Sequence, residues 1–483
     1  MATLTWLYTT TKNERNQPPG PKGFPVLGYL PFLCNNPHIL FLKLAKVYGP
    51  IVRIKVGTAK IVVLNNYQCI REAFSHPAVQ SRIKSMFLEK TGLPGVGTLN
   101  GKAWKENRQL SLHILRGLGF GKPAIEEMIL EEVQCLTRRL HAVNQAPIFA
   151  RTFTIPSMSN IYTKLLFGVR HPHDHATRAK LDECFLNADA ALTKGSVTVF
   201  LPLWLYAIAG AVSFTRIGAF MNAFRGLMDF LAPEIATHQM IKKPNFESDF
   251  IDAYLRRAFL SRDDPKSNIK LKYLPGNLLR FWVAGTNAIN RSVLWHLLNC
   301  ADKPDTVQKA IQDEIDEVVG RERRPAWNDR YRMVYTMAAI WEMLRWRPIS
   351  PMGLPRGTSE EIIIGGYTIP EGTIVMANLW ALNMDSSLWV HPERFDPHRF
   401  MEEGCAKLKP KPEYFIPFSI GKRMCPAEAV SPVEVFLYLT GILQQFIVLP
   451  EEGAAIDLSM DCVTFNLAKP QKLRFLPREH GNN

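Results

Sequence analysis

Near the C-terminus the chain reads Phe418-Ser419-Ile420-Gly421-Lys422-Arg423-Met424-Cys425-Pro426. It places one cysteine behind a glycine turn and an arginine, and just ahead of a predicted helix. Free backbone N–H groups and the positive end of a helix dipole stabilise a thiolate without protonating it. The pattern therefore predicts that Cys425 is a thiolate ligand of iron.

The neighbours of this cysteine each suit such a site. Gly421 can adopt a positive φ, which lets the backbone approach a flat cofactor closely. Arg423 can bind a carboxylate with two hydrogen bonds, and Phe418 is expected to cover the thiolate side. Pro426 suits the first position of a helix, where no N–H is needed.

The spacing of Phe418, Gly421, Arg423 and Cys425 resembles the cysteine signature of the cytochrome P450 family, the haem-thiolate monooxygenases. The resemblance implies iron protoporphyrin IX as cofactor, with an axial thiolate from Cys425. One position departs from the family pattern. The family usually has glycine two residues after the cysteine, and here Ala427 is expected to crowd the helix start against the haem.

A second group of charged residues lies in Trp341-Glu342-Met343-Leu344-Arg345-Trp346-Arg347-Pro348. Glu342 and Arg345 are one helical turn apart on the same face, and apolar neighbours suggest that this face is buried. The family carries a Glu-x-x-Arg pair here that is linked to a later arginine. The resemblance implies that Arg394 is this third member and that the role of all three is structural.

Two more places resemble family contacts with the haem propionates. Trp104 and Arg108 are four residues apart, which matches the family's Trp-x-x-x-Arg helix. Arg356, in Leu354-Pro355-Arg356, stands where the family often has another propionate partner. The alternative for each is an ordinary basic residue at the surface.

A long apolar helix is predicted over residues 278–298 and is interrupted by Ala284-Gly285-Thr286-Asn287-Ala288. Small residues inside a helix make room for a ligand or allow close packing of another helix. In the family this segment is the oxygen-binding groove, with an acid and a threonine where this chain has Asn287 and Ala288. The resemblance assigns Ala284, Gly285, Thr286 and Asn287 to the catalytic groove.

The departure at positions 287 and 288 bears on activity, because cleavage of dioxygen needs two protons, and a hydroxyl with an ionisable neighbour organises their delivery. Three explanations remain open. Thr286 or a substrate hydroxyl orders the water, the enzyme rearranges or dehydrates a substrate that is already oxygenated, or the chain binds haem or a lipophile with little turnover.

Composition is that of a globular protein, with 47% hydrophobic and 21% charged residues among 483. The eight cysteines are widely spaced, which favours neither a disulfide scaffold nor a zinc site and fits a reducing compartment. The net charge of +14 comes from scattered basic residues without a nucleic-acid motif. Nucleic acid is therefore excluded as a partner, while an acidic electron donor and anionic lipid both remain open.

The chain is predicted to be mainly α with a minor β-rich region. Residues 1–17 form a tail without a visible membrane anchor, residues 18–22 form a proline hinge, and residues 23–483 form one large catalytic domain. Hairpins are predicted over 51–64 and over 361–376, the second with its turn at Pro370-Glu371-Gly372. Amphipathic helices are predicted over 124–140 and 305–319.

Two segments concern the membrane. Family members of the microsomal type have an anchor before the proline hinge, so a trimmed start, an incomplete start and a natural absence all remain open here. The uncharged stretch 195–215 is interpreted as a loop that dips into the bilayer rather than as a buried core segment.

The residues in these motifs most resemble those of the animal microsomal branch of the family, which includes steroid and drug hydroxylases. We therefore expect a haem monooxygenase on the cytoplasmic face of the endoplasmic reticulum membrane. It would insert one oxygen atom from O2 into a hydrophobic small molecule (a steroid, fatty acid or xenobiotic), with electrons from NADPH through a flavoprotein reductase. Candidate docking lysines for the reductase are Lys102, Lys105, Lys409, Lys411 and Lys422. Candidate substrate contacts are Phe281, Ala284, Ser350, Met352 and Phe465.

Overall fold

The structure, a computed structural model, describes residues 16–33, 36–82, 92–194, 211–212, 215–240, 247–404, 407–462 and 465–479. The predicted bilayer loop over 195–215 falls almost entirely outside these residues, as does most of the predicted N-terminal tail. Within the described ranges, no helix combines the length and hydrophobicity needed to cross a membrane.

Helices dominate the chain. In the first half they are α1 (Pro37–Tyr48), α2 (Tyr67–Ser75), α3 (Gly101–Gly117), α4 (Pro123–Ala142), α5 (Arg151–Phe167), α6 (Ala176–Lys194) and α7 (Arg216–Met240). In the second half they are α8 (Phe250–Leu260), α9 (Leu274–Asp302), α10 (Lys309–Val318), α11 (Val334–Trp346), α12 (Leu379–Asn383) and α13 (Ser431–Gln445). The prediction of a mainly α protein is confirmed.

The strands form small sheets. They are β1 (Ile51–Val56), β2 (Ala59–Leu64), β3 (Arg356–Gly357), β4 (Ile362–Ile364), β5 (Tyr367–Ile369), β6 (Ile374–Ala377), β7 (Phe446–Pro450), β8 (Met460–Cys462), β9 (Asn466–Ala468) and β10 (Leu473–Pro477). One four-stranded sheet has the order β1-β2-β6-β3, and the pairs β10-β7, β4-β5 and β8-β9 stand apart.

The first predicted hairpin is confirmed, and the second is wrong in its turn. β1 and β2 pair antiparallel from Ile51 opposite Leu64 to Val56 opposite Ala59. The tight turn in the later region lies at Gly365 and Gly366, which both have positive φ and join β4 to β5. The turn falls at these glycines because two adjacent glycines make a better hairpin turn than a proline-led segment does. Strand β6 pairs with β2 instead, in parallel.

The predicted helices are found with small changes of length. The helix expected over 124–140 is α4, and the one expected over 278–298 is the central part of α9. The stretch 305–319 is divided, because residues Pro304–Gln308 form a π-helical turn before α10 begins.

The main core forms where α9 packs against α5 and α13, and where α13 packs against α4. Helix α5 is buried along most of its length, although it contains Pro156. This packing brings the segment after the cysteine loop, which is α13, against the helix that carries Ala284-Gly285-Thr286. The packing therefore places the two predicted halves of the site on neighbouring elements.

The proline segment at the N-terminal side lies against the first sheet. The backbone N–H of Arg53 on β1 donates to the carbonyl oxygen of Pro19 at 2.9 Å. A Cβ atom on Gly20 would overlap the carbonyl of Arg53, so this glycine is needed for the close approach. The segment predicted as a hinge is thus docked on β1.

The Glu342–Arg345 pair is buried, as predicted, and both side chains are fully covered. Two guanidinium nitrogens of Arg345 donate to the two carboxylate oxygens of Glu342 at 2.6 and 2.7 Å. The third charged member is Arg399, whose Nε lies 3.3 Å from Glu342. Arg394 contributes only its carbonyl oxygen, which accepts from Arg345 at 2.9 Å, while its side chain is 72% exposed.

The prediction that the Arg394 side chain completes the group is therefore wrong. Arg394 follows a turn that directs its guanidinium outward, where Glu393 is within 3.7 Å. Arg399 lies one turn further on, and its side chain returns to the buried carboxylate.

We expect Glu342→Ala to lower the free energy of unfolding by about 3–5 kcal/mol, because it leaves the Arg345 charge buried without a partner. Arg394→Ala is the matched control, with an expected loss under about 0.5 kcal/mol because its side chain is at the surface. Denaturant unfolding of the two variants checks this. Equal losses in both would contradict the assignment.

Candidate functional site

The cysteine loop is fixed by its own backbone. The N–H of Cys425 donates to the carbonyl oxygen of Phe418 at 2.9 Å, and the N–H of Met424 donates to that of Gly421 at 3.0 Å. Gly421 has φ +75°, and a Cβ atom there would overlap the carbonyl oxygen of Phe74. The glycine turn predicted from the sequence is therefore present, and its close contact in the chain is with the end of α2.

The helix after the cysteine begins later than predicted. Residues 426–430 form turns and α13 starts at Ser431, so Pro426 is not the first helical residue. Pro432 lies in the first turn of α13 instead. The N–H groups of Val430 and Ser431 both donate to the carbonyl oxygen of Ala427, at 3.0 and 2.8 Å. The thiol is thus stabilised by individual N–H groups rather than by an immediately adjacent helix end.

Cys425 is an exposed residue set among charged and polar groups. Surrounding protein raises the pKa of its thiol through desolvation, whereas the backbone N–H of Ala427 and the charge of Arg108 lower it. A residue that is exposed and yet densely surrounded lies in a concave surface. Ala427, the residue that departs from the family pattern, contributes its backbone N–H to the thiol.

Four arginines converge beside this thiol: Arg82, Arg108, Arg356 and Arg423. Burial and the charges of the other three lower the pKa of Arg423 to about 8, and similar causes lower that of Arg356 to about 9. Among the described residues, none of the four forms an ion pair with a carboxylate. Within the described part of the chain, four cations therefore lie in one place without a carboxylate counter-charge.

Arg423 is held mainly by carbonyl groups. Its Nε donates to Gln80 at 2.8 Å and its Nη2 donates to Leu99 at 2.6 Å, while its guanidinium lies 3.8 Å from the ring centre of Trp104. Its Nη1 is buried without a hydrogen-bond partner, and so is the Nε1 of Trp104. The edge of Arg423 that remains for a carboxylate is therefore the Nη1 side.

The other three arginines also fix the loops around the cysteine. Arg356 donates to the carbonyl oxygens of Phe74 and Ile420 at 3.0 and 2.6 Å, and Arg108 donates to that of Met424 at 2.6 Å. These bonds tie α2, α3 and β3 to the cysteine loop.

Arg82 joins the same group, although no motif in the sequence singled it out. Its Nη1 donates to the carbonyl oxygen of Pro355 at 2.5 Å, and its backbone N–H donates to the Asn100 side chain at 2.6 Å. Burial, followed by the charge of Arg108, lowers the pKa of Arg82 to about 10.

This donor set fits a flat cofactor that carries carboxylates and an iron. Four guanidinium groups, with unpartnered N–H groups on Arg423 and Trp104, suit two carboxylates. An accessible thiol that receives an N–H bond and lies beside a cation suits a metal-bound thiolate. The residues predicted for these roles, together with Arg82, are thus brought into one place.

Helix α9, which carries the predicted groove and is called the distal helix below, has polar side chains that lack hydrogen-bond partners. Thr286 is fully buried and its hydroxyl has no hydrogen-bond partner, and neither amide atom of Asn287 has one. Ala284 is exposed although Val283 is buried, so α9 borders open space at Ala284. The exposure of Ala284 supports the predicted groove at this position.

Gly285 has a different explanation, because the ring of Tyr162 on α5 occupies the place where its side chain would stand. Close helix packing, the alternative that the sequence left open, therefore accounts for this glycine. The hydroxyl of Tyr162 continues to Glu434 on α13, to which it donates at 2.9 Å. Cys425 is among the groups that raise the pKa of Tyr162, after desolvation and Glu434, so Tyr162 lies near both halves of the site.

Of the candidate substrate contacts, Met352 is buried in the core beneath the first sheet and Phe281 packs against the main core. Phe465 is partly buried with the guanidinium of Arg291 5.2 Å from its ring centre, and the hydroxyl of Ser350 is buried without a partner. Ala284 is the exposed member of the set.

Comparison with known proteins identifies the class. A sequence model described as "Cytochrome P450" matches residues 18–476. "Cytochrome P450 2F1" of Homo sapiens is 33% identical over 492 residues, covering 99% of this chain and 98% of the human protein. "Cytochrome P450 2U1" of Rattus norvegicus is 31% identical over 93% of this chain and 88% of its own. "Cytochrome P450 2H2" of Gallus gallus is 30% identical over 98% and 96%.

The chain therefore belongs to the cytochrome P450 family, within its animal branch. It is an oxidoreductase, a haem-thiolate monooxygenase whose iron takes its axial thiolate from Cys425. Members of this family act on hydrophobic substrates and receive electrons from a redox partner.

Proposed function

We propose that this protein inserts one oxygen atom from O2 into a hydrophobic small molecule of the steroid, fatty acid or xenobiotic kind. Its electrons come from NADPH through a flavoprotein reductase. The observation that carries the proposal is the accessible Cys425 thiol beside four arginines that have no carboxylate partner among the residues that the structure describes. The haem bound there supplies an iron that activates dioxygen, and a thiolate ligand favours O–O cleavage.

In this proposal the arginines hold the haem carboxylates. Arg423, through Nη1, Arg108 and Trp104 would bind them, and Arg82 and Arg356 would complete the positive pocket. Gly421 and the carbonyl of Phe418 keep the loop in the shape that presents the Cys425 thiolate. The catalytic groove of α9 consists of Ala284, Gly285, Thr286 and Asn287. The Glu342–Arg345 pair, with the Arg394 carbonyl, supports this core.

The surface near the cysteine loop suits an acidic redox partner. The five candidate lysines are all exposed, namely Lys102, Lys105, Lys409, Lys411 and Lys422. Association of oppositely charged surfaces speeds electron-transfer complexes and weakens as salt increases.

A membrane surface is the second proposed partner, on the cytoplasmic face of the endoplasmic reticulum. Four large apolar side chains are exposed close together in the sequence next to the proline segment: Phe24, Val26, Leu27 and Phe32. Contiguous exposed apolar surface of this kind is a common site of membrane contact.

A reductase-independent isomerase or dehydratase is the second candidate function. The observation that favours it is the pair Asn287 and Ala288, which places neither an acid nor a hydroxyl where the family usually has both. The hydroxyl of Thr286 stands one position earlier, buried and without a partner.

We expect Arg108→Gln to bind haem at least tenfold more weakly, because it removes a cation from the carboxylate pocket. Arg116→Gln is the matched control, since Arg116 lies on the same helix and is exposed. Transfer of haem to an apo-haem acceptor protein, followed by absorbance, measures the difference. Equal haem loss in both variants would contradict the proposed contact.

Turnover tests the function itself. Purified holoprotein with a flavoprotein reductase is expected to consume NADPH in step with product from a panel of lipophiles that shift its haem spectrum. Product formed without reductase and NADPH would favour the isomerase or dehydratase. Spectral shifts without product under NADPH or peroxide supply would indicate a haem or lipophile-binding protein.

A further inference from the structure

Glu434, on the first turn of α13, is a buried acid without a counter-charge. Its residue is 1% exposed, and one carboxyl oxygen, Oε2, has no hydrogen-bond partner. The other oxygen accepts only the Tyr162 hydroxyl, at 2.9 Å. Among the described residues, no arginine, lysine or histidine forms an ion pair with it. A carboxylate in such surroundings is strongly disfavoured relative to the neutral acid.

Tyr162 connects this acid to the distal helix. Its ring fills the notch at Gly285, where any Cβ atom would overlap Cζ and Cε1. The ring cannot withdraw without breaking its bond to Glu434. The phenol therefore joins α13, which follows the cysteine loop, to the groove segment of α9.

The titratable groups around this pair are few. Tyr438 lies one turn further along α13 and bonds to Ser157 at 2.8 Å, and Cys425 acts on Tyr162 from the cysteine loop. From α9 the neighbours at the groove are neutral, namely Gly285, Thr286 and Asn287. Desolvation is the leading cause that raises the pKa of Glu434, to about 8, while its bond with Tyr162 acts in the opposite direction.

We propose that Glu434 is an uncharged carboxylic acid at neutral pH and that the Tyr162–Glu434 pair is the proton store beside the distal helix. It takes the place of the acid that is absent at position 287. Both residues act as positioning residues, because neither is placed against the haem. The proposal rests on the proposed monooxygenase function for its role, although not for the protonation of Glu434.

The proton transfer balances with few groups. The hydrogen bond between the two side chains reverses, so that Glu434 gives its carboxyl proton to the Tyr162 oxygen, and the phenol gives its own hydrogen to a water molecule that carries it to the groove. Glu434 is then a carboxylate until solvent returns the proton. Monooxygenation consumes one O2, two electrons and two protons per oxygen atom inserted, with one water formed, and the electrons come from NADPH.

The first measurement concerns the resting protein and needs no turnover. Infrared difference spectra between wild type and Glu434→Gln are expected to show the carbonyl stretch of one protonated carboxylic acid at pH 7. Tyr162→Phe should shift that band, because it removes the one hydrogen bond that the described residues give to this carboxyl group. Tyr254→Phe is the matched control, since this equally buried phenol donates to Asn107 at 2.8 Å and has no carboxyl partner.

The pH dependence of the free energy of unfolding tests the protonation of Glu434 independently. The folded protein keeps a proton on Glu434 between about pH 4.5 and about pH 8, whereas the unfolded chain has lost it. Wild type should therefore lose stability as pH rises through this window, relative to Glu434→Gln, which carries no proton to lose. Absence of the carbonyl band, or a constant stability difference between the two proteins, would overturn the protonation claim.

The second measurement concerns the role. With NADPH and a flavoprotein reductase, and without any added substrate, we expect Glu434→Gln and Tyr162→Phe to raise hydrogen peroxide released per O2 consumed at least threefold. Tyr254→Phe should leave this ratio unchanged. A carbonyl band with an unchanged peroxide ratio would overturn the proton-store role. Failure of the proposed function appears differently, because the wild type itself would then consume no O2.

Discussion

The structure depends on gathering positive charge around one thiol. Arg82, Arg108, Arg356 and Arg423 approach Cys425 from four separate segments, and each donates hydrogen bonds to backbone carbonyls there. Burial is the main physical cause of the lowered pKa values of these arginines, and for Arg82, Arg356 and Arg423 the opposition of neighbouring positive charges adds to it. Binding of a dianionic, iron-containing cofactor relieves that opposition and completes the core, so haem binding and folding stability are coupled.

The two sides of the site are linked through the core and not only through the cofactor. Tyr162 fills the notch at Gly285 on one side and bonds to Glu434 on the other. Tyr162 is therefore one of the contacts between the distal helix and α13, which begins soon after Cys425. This arrangement gives the groove an acid group although position 287 is Asn287, whose amide has no ionisable proton.

Local patterns were predictable from the sequence, and long-range pairings were not. The positive φ of Gly421 and the β1–β2 hairpin depend on a few adjacent residues, and both are found. Whether Arg394 or Arg399 completes a buried pair depends on the course of a loop, which no spacing specifies. Arg82 had no motif, because its role arises only when its segment meets three other arginines in space.

The absorbance spectrum of the reduced, carbon-monoxide-bound protein tests whether Cys425 is the thiolate ligand of a haem. Wild type is expected to show the thiolate-type band, and Cys425→Ser is expected to lose it, because the substitution replaces the soft thiolate by a poor ligand. A wild-type protein without that band, or a Cys425→Ser variant that retains it, would rule out Cys425 as the ligand.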